Sequence, residues 1–277
     1  MGIVRMHIVV NEERSLAPVG ITPLIHHGNF YHHVLSCLAY PLDSPPVGDL
    51  LRRYHGLDGQ WLVASPIFWQ ATHNDAMIVS SGDELNLSEK ESRRWFVALA
   101  EFVAADNINL HYHDAHTWLL QYDARPLIFA KPVYKMHHQS MMPALKALDK
   151  TLFWQRFITE NQMFFSGHVL NKARIGLHPI NGLWIWGGGQ LRERVDTPMY
   201  CAGSLAKLAS LVSINVNDLE TTQRLAKNGV VLLKSLSADE LLTLQTRLQK
   251  YTTHWYWNNV AYLSKPKSFM SRLMGRL

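Results

Sequence analysis

A chain of 277 residues, 47% apolar and 18% charged, can bury a sizeable core, which excludes a disordered protein and suits one large α/β domain. The net charge of +5 is a property of the tail: Arg247, Lys250, Lys265, Lys267, Arg272 and Arg276 all follow Glu240, the last acid. The near-neutral remainder does not read as a general nucleic-acid binder.

The opening MGIVRMHIVV lacks both a signal-peptide pattern and a membrane-spanning run, and Cys37 and Cys201 have no paired spacing. A cytoplasmic protein without a membrane span is expected. Residues 3–10 read as a first strand. YHHVLSCLAY and VGDLLRRYHG read as short helices parted by the breaker PLDSPP. WLVASPIFWQATHNDAMIVSS predicts two strands about the turn THND. Ser88 and Glu91 form a capping box opening a helix, with Trp95, Leu99 and Phe102 on one face. INLHYHDAHTWLLQYD predicts a second hairpin, and residues 141–168 a helical stretch starting near Pro143.

GLWIWGGG is apolar or aromatic on both faces, so it predicts a buried strand with a glycine exit. GSLAKLASLVS and NDLETTQRLAKN predict helices, and GVVLLKSL a strand. Ser237 and Glu240 cap a long helix whose stripe runs through Leu241, Leu244, Leu248, Tyr251 and Trp255. Helices and strands interleave without repeats or a long linker. This predicts an α/β fold with a mixed sheet flanked by helices, one domain over 1–265, and a basic amphipathic tail over 266–277.

The histidines invite a metal hypothesis. HYHDAH places His111 and His113 on one strand face, where both could meet a metal. It approaches the HxHxDH pattern of metallo-β-lactamase-type enzymes, but the Asp stands one place early and a strand follows. Exposed hairpin histidines are the expectation. HHGNFYHH offers no i,i+4 pair among His26, His27, His32 and His33, and MHHQSMMP has no nearby carboxylate or cysteine. No metal ligand and no cofactor are assigned. Glu160 shares a helical arc with Phe153, Phe157 and Phe164. A buried carboxylate must find a cation or shift its pKa, so an ion pair with Arg156 or Arg174 is expected there.

HVLNKARIGLHPINGLWIWGGG resembles the signature of archaeal-type cofactor-independent phosphoglycerate mutases. There a His-x-x-Asn-x-x-Arg stretch precedes an Asn leading into a Trp-rich strand that ends in glycine. A wider likeness, over roughly residues 60–260, is to the RpfE-type regulatory proteins of the phosphoglycerate mutase-like group. Trp61–Pro66, Glu160–Met163, Asn181–Gly189 and a tail helix around Trp255–Trp257 carry it.

The resemblance implies an alkaline-phosphatase-like core or part of one. The family's enzymes use two metal ions, an Asp-rich cluster near the start and Asp/His pairs near the end. This chain departs there. From residue 196 on its acids are Asp196, Asp218, Glu220, Asp239 and Glu240, and its histidine His254, with no Asp-His pair; near the start, LDSPP offers Asp43 and Ser44.

The expectation is a protein without the two-metal centre, a non-catalytic binding or regulatory protein for a phosphorylated or acidic small molecule. His168, Asn171, Arg174, Asn181, Gly187, Gly188, Gly189 and Glu160 are its candidate ligand-binding residues. Arg174 offers a fork for phosphate or carboxylate, and the glycines let backbone amides approach an anion. Equally, Asn171, Arg174 and Asn181 can satisfy backbone groups where strand meets loop. Two alternatives stay open: a metal-dependent phosphomutase or phosphatase needing a divalent ion, and a partner- or nucleic-acid-associated protein using the basic tail.

Overall fold

The computed structural model describes residues 5–14, 23–24, 28–71, 73 and 75–266. His26, His27 and all but Pro266 of the expected tail lie outside them. The chain forms two compact units, Met1–Tyr40 with Arg192–Leu277, and Pro41–Leu191. The sequence reading is one domain over 1–265; the breaker PLDSPP, read there only as parting two helices, begins at the first boundary.

In chain order the first unit contributes strands β1 (Arg5–Val10) and β2 (Pro23–Leu24) and helix α1 (Phe30–Cys37). The second unit runs through α2 (Val47–His55), β3 (Trp61–Ala71), β4 (Ala76–Ser81), α3 (Glu89–Val103), β5 (Leu110–Tyr112) and β6 (Trp118–Gln121). It ends with α4 (Met141–Ala147), α5 (Phe153–Gly167) and β7 (Gly182–Trp186). The chain returns to the first unit with β8 (Met199–Cys201), α6 (Gly203–Val212), β9 (Val216–Asp218) and β10 (Val230–Leu233). It closes with α7 (Ala238–Arg247), β11 (Thr252–Tyr256) and β12 (Ala261–Ser264).

The first unit holds a seven-stranded sheet in the order β2-β12-β11-β1-β10-β8-β9. Strands β11, β1, β10, β8 and β9 are parallel neighbours, whereas β12 and β2 pair antiparallel, so the sheet is mixed. Alternation along β1 explains its place. Met6, Ile8 and Val10 enter a core shared with Val231, Leu244, Leu248, Trp255 and Tyr262, while His7 and Val9 face the other way. The expected α/β fold with a mixed, helix-flanked sheet is what the chain adopts.

Two expectations near the end of the chain are corrected. NDLETTQRLAKN is not a helix: the Asp218 carboxylate accepts from Glu220 N and Thr221 N, both at 2.9 Å, and this local turn takes the backbone donors. The long helix ends at Arg247, and Tyr251–Trp257 does not continue it. Thr252–Tyr256, rich in β-branched and aromatic residues, pairs with β1 as a strand.

The second unit is built on an antiparallel sheet. Along one edge β3 pairs first with β6 and then with β4, and β7 takes the other edge. Every residue of β7 is buried, as its two apolar faces predict. The helical stretch expected over 141–168 divides into α4 and α5. Asp149 is the cause: its carboxylate accepts from Thr151 N at 2.7 Å, Phe153 N at 3.3 Å and Trp154 N at 2.9 Å, restarting the helix. Among the described residues no helix is long and apolar enough to cross a membrane.

Candidate functional site

The stretch HVLNKARIGLHPINGLWIWGGG lies within the second unit, where α5 gives way to a short 3₁₀ segment, Val169–Ala173, and then to β7. Asn171 spends its amide on backbone. Its Nδ2 donates to Phe165 O and Ile180 O, and its Oδ1 accepts from Ile180 N, each at 2.9 Å. Asn181 does the same for β3. Its Oδ1 accepts from Trp69 N at 2.9 Å and its Nδ2 donates to Trp69 O at 2.7 Å, beside the bulge between Phe68 and Trp69. His168 caps the 3₁₀ segment through Nδ1, which accepts from Leu170 N at 3.2 Å, and its ring packs on Trp95 and Phe164.

Arg174 is buried, and its guanidinium is engaged at three corners. Nε donates to His178 O at 2.7 Å, Nη1 meets Glu91 Oε1 at 2.6 Å, and Nη2 donates to Leu85 O. The carboxylate partner is therefore Glu91 of α3, not Glu160. Ser88 still caps α3, its hydroxyl accepting from Glu91 N at 3.3 Å, while the Glu91 carboxylate turns to Arg174. Glu160 is exposed. The buried face of α5 runs through Trp154, Phe157, Ile158, Asn161 and Phe165, one residue around from the expected arc, and puts Asn161 at its centre.

The glycine exit packs on α2. Gly187 has φ +79°, and its carbonyl accepts from Gly48 N at 2.9 Å. A Cβ on Gly48 would lie 2.2 Å from Trp61 O, and one on Gly188 would lie 3.2 Å from Leu62 Cδ2. Gly189, at φ +109°, completes the turn. Asp49, the third residue of the same helix, accepts from Leu191 N at 2.8 Å and pairs with Arg52 and Arg53. The structure thus brings His168, Asn171, Arg174 and Asn181 together with backbone groups, and places Gly187–Gly189 against α2 and β3.

Three histidines of the second unit meet. His111 and His113 are half-buried, and the contact that places them, His55 from the last turn of α2, is distant in sequence. His55 Nε2 lies 2.8 Å from His113 Nδ1, and the rings of His55 and His111 are 4.4 Å apart. Burial lowers the pKa of His111; burial likewise lowers that of His113, against an opposing pull from Asp114. Among the described residues no group of three or more His, Cys, Asp or Glu side chains is placed to hold a metal ion. The stretch MHHQSMMP does have a neighbouring acid after all: His137 Nδ1 lies 3.7 Å from Glu84 Oε2, and its Nε2 lies 2.5 Å from Ser81 Oγ. Chain folding, not local spacing, supplies that acid.

In the first unit, His7 and His254 are register partners on β1 and β11, their rings 5.3 Å apart, with Tyr256 stacked on His7 at 6.0 Å. Burial, then His254 and Arg5, pushes His7 down to about 4, so the imidazole is neutral near pH 7.

The parallel strands of this unit reverse their winding at β10, whose exit runs opposite to those of its neighbours β1 and β8. The chain leaves β1 towards β8 on one side, and leaves β10 through α7 towards β11 on the other. Asn11 N donates to Leu233 O at 2.9 Å across this point, and exposed Lys234 follows Leu233. Beyond the carboxyl end of β1, Arg14 Nη1 donates to Tyr262 Oη at 3.0 Å, with the guanidinium over the rings of Trp257 and Tyr262.

Three acids of the closing segment serve local structure. Asp218 holds its turn, Glu240 completes the capping box with Ser237, and Asp196 accepts from Asn215 Nδ2 at 3.3 Å. In the second unit, Asp43 pairs with Lys135 at 2.7 Å.

No family model matches the chain, and no curated protein matches it in sequence. Among solved structures it is similar to the cofactor-independent phosphoglycerate mutase from Thermoplasma acidophilum DSM 1728. The identity is 14%, the TM-score 0.34, and the match covers 95% of this chain and 90% of that one.

Proposed function

We propose that this chain is a phosphoglycerate mutase-like binding or regulatory protein that takes a phosphorylated or acidic small molecule without two-metal phosphoryl transfer. The observation that carries the reading is the winding reversal in the first unit. In open α/β sheets the ligand crevice lies beyond the carboxyl ends of the strands where the winding reverses. Here that edge carries Lys234 past β10 and Arg14 past β1, and the stack on Trp257 and Tyr262 fixes the Arg14 guanidinium.

Absence of phosphoryl transfer is supported by how the acids are used. Asp43, Asp196, Asp218 and Glu240 are committed to an ion pair, a turn contact, a turn and a cap, which does not fit a two-metal ligand set. The signature residues support the reading as scaffold, since their side chains secure backbone at the junction of α5, β3 and β7.

Calorimetric titration with 3-phosphoglycerate and inorganic phosphate tests the proposal. Binding in the micromolar to millimolar range is expected, weakened about ten-fold or more in Lys234→Met or Arg14→Met, the size expected on losing a charge-assisted contact. No heat with either ligand, or binding indifferent to both variants, would remove the site. Turnover that depends on added manganese or zinc would favour the phosphomutase alternative.

A further inference from the structure

We propose that Ser81, His137 and Glu84 form a nucleophilic acyl-transfer site for carboxylic esters in the second unit, separate from any anion site in the first. Ser81 is the last residue of β4 and is extended, at φ −153° and ψ 170°. Its Oγ lies 2.5 Å from His137 Nε2, and His137 Nδ1 lies 3.7 Å from Glu84 Oε2. One imidazole therefore faces a hydroxyl with one nitrogen and a carboxylate with the other. This is the relation by which a base activates a serine while an acid orients the base. The 3.7 Å gap to Glu84 is an ion-pair distance and not a hydrogen bond, so the proposal requires the acid to close on the imidazole when substrate binds.

A strand end, a 3₁₀ turn and a tethered loop present the three groups. Glu84 lies on the 3₁₀ turn Gly82–Leu85 that directly follows Ser81, so nucleophile and acid share one strand end. His137 comes from a loop fastened to the same strand, where His138 N donates to Ile78 O at 3.0 Å and His137 bridges Ile78. Such backbone ties hold an imidazole to the tolerance a proton transfer needs.

A Cβ added at Gly82 would meet nothing within 4 Å, so the backbone directly after Ser81 borders open space. The His137 side chain is 20% exposed and that of Glu84 59%, so the acid is at the surface, the base reaches it in part, and an ester must come to the buried Ser81 past the imidazole.

The chemistry balances with water as the co-reactant. Ser81 Oγ attacks the ester carbonyl carbon as its proton passes to His137 Nε2. The tetrahedral adduct collapses, the carbon–oxygen bond to the alcohol breaks, and the alcohol leaves with the His137 proton. Water then attacks the acyl-serine with His137 as base, releasing the carboxylic acid and restoring the Ser81 hydroxyl. Nothing is oxidised or reduced. Glu84 is a positioning residue, holding the imidazole and stabilising its charged form.

A purely structural Ser81–His137 bond would give the same distances but no reactivity. The test is a fluorophosphonate serine probe on the whole chain, followed by intact mass and peptide mapping. The expected result is one adduct, on Ser81, absent in Ser81→Ala, slowed about a hundred-fold in His137→Gln, and falling away on the acid side as the imidazole protonates. Glu84→Gln should slow labelling less and move that pH profile. Should a variant fail to fold, the wild-type chain still decides. No adduct, an adduct on another residue, or labelling of Ser81 that is flat with pH overturns the proposal.

Discussion

Arg174 binds three backbone or carboxylate oxygens with a side chain only 1% exposed, so replacing it leaves several polar groups short of a partner at once. Breaking a buried pair by removing one partner costs about 3–5 kcal/mol, and the lower end applies because Glu91 can rehydrate. Arg174→Ala should therefore lower urea stability by about 3 kcal/mol, and Glu160→Ala should change it by less than about 0.5 kcal/mol. Equal effects would refute the assignment of Glu91 over Glu160.

His7 gives the second residue-scale expectation. Its folded pKa is about 4, below the usual 6.5, so the unfolded chain binds more protons between those values. Stability from this group is present above pH 6.5 and is lost as pH falls towards 4. His7→Phe keeps a ring on Tyr256 and removes the titration, so the drop in melting temperature from pH 7 to pH 5 should shrink. An unchanged drop would assign it to other groups.

At the scale of elements, Asp149 ends one helix region and begins the next, through bonds to the first amides of α5. Asp149→Ala should cost about 1–2 kcal/mol, as loss of an N-cap does, measured by denaturant unfolding. Wild-type stability in that variant would mean the break between α4 and α5 has another cause.

Such local chemistry separates what was legible in the sequence from what was not. Alternation and breakers revealed the hairpins β3–β4 and β5–β6, and the two-faced apolar run revealed β7 as buried. The same composition concealed the end of α7, because Leu241, Leu244, Leu248, Tyr251 and Trp255 keep helical spacing although Thr252–Tyr256 pairs as a strand. Asp218 withdrew NDLETTQRLAKN from helix through side-chain bonds that periodicity does not register. For the signature, residue types announced polar work but not its object, since an Asn that staples backbone and one that binds ligand look alike. The contacts of His55 with His113, and of Ser81 with His137, join segments far apart in the chain, and no local spacing predicts them.

At the scale of the molecule, the second unit is one continuous segment, Pro41–Leu191, set between two parts of the first. Its exit and re-entry meet in the first unit at Tyr40 and Arg192. Arg192 N donates to Tyr40 Oη at 2.9 Å, its guanidinium lies 4.2 Å from that ring, and Nη2 donates to Leu38 O and Ala39 O, each at 3.0 Å. Segments whose ends lie close together, with a core of their own, behave as inserted domains. The core here is Trp95, Trp118, Trp154, Trp184 and Trp186, all buried between residues 41 and 191, with the antiparallel sheet around β3 complete within the same limits. Residues 41–191 expressed alone should therefore unfold cooperatively in urea and keep a near-ultraviolet dichroism signal from those tryptophans. A flat near-ultraviolet spectrum with dye binding typical of a molten state would show that the segment depends on the first unit for its packing.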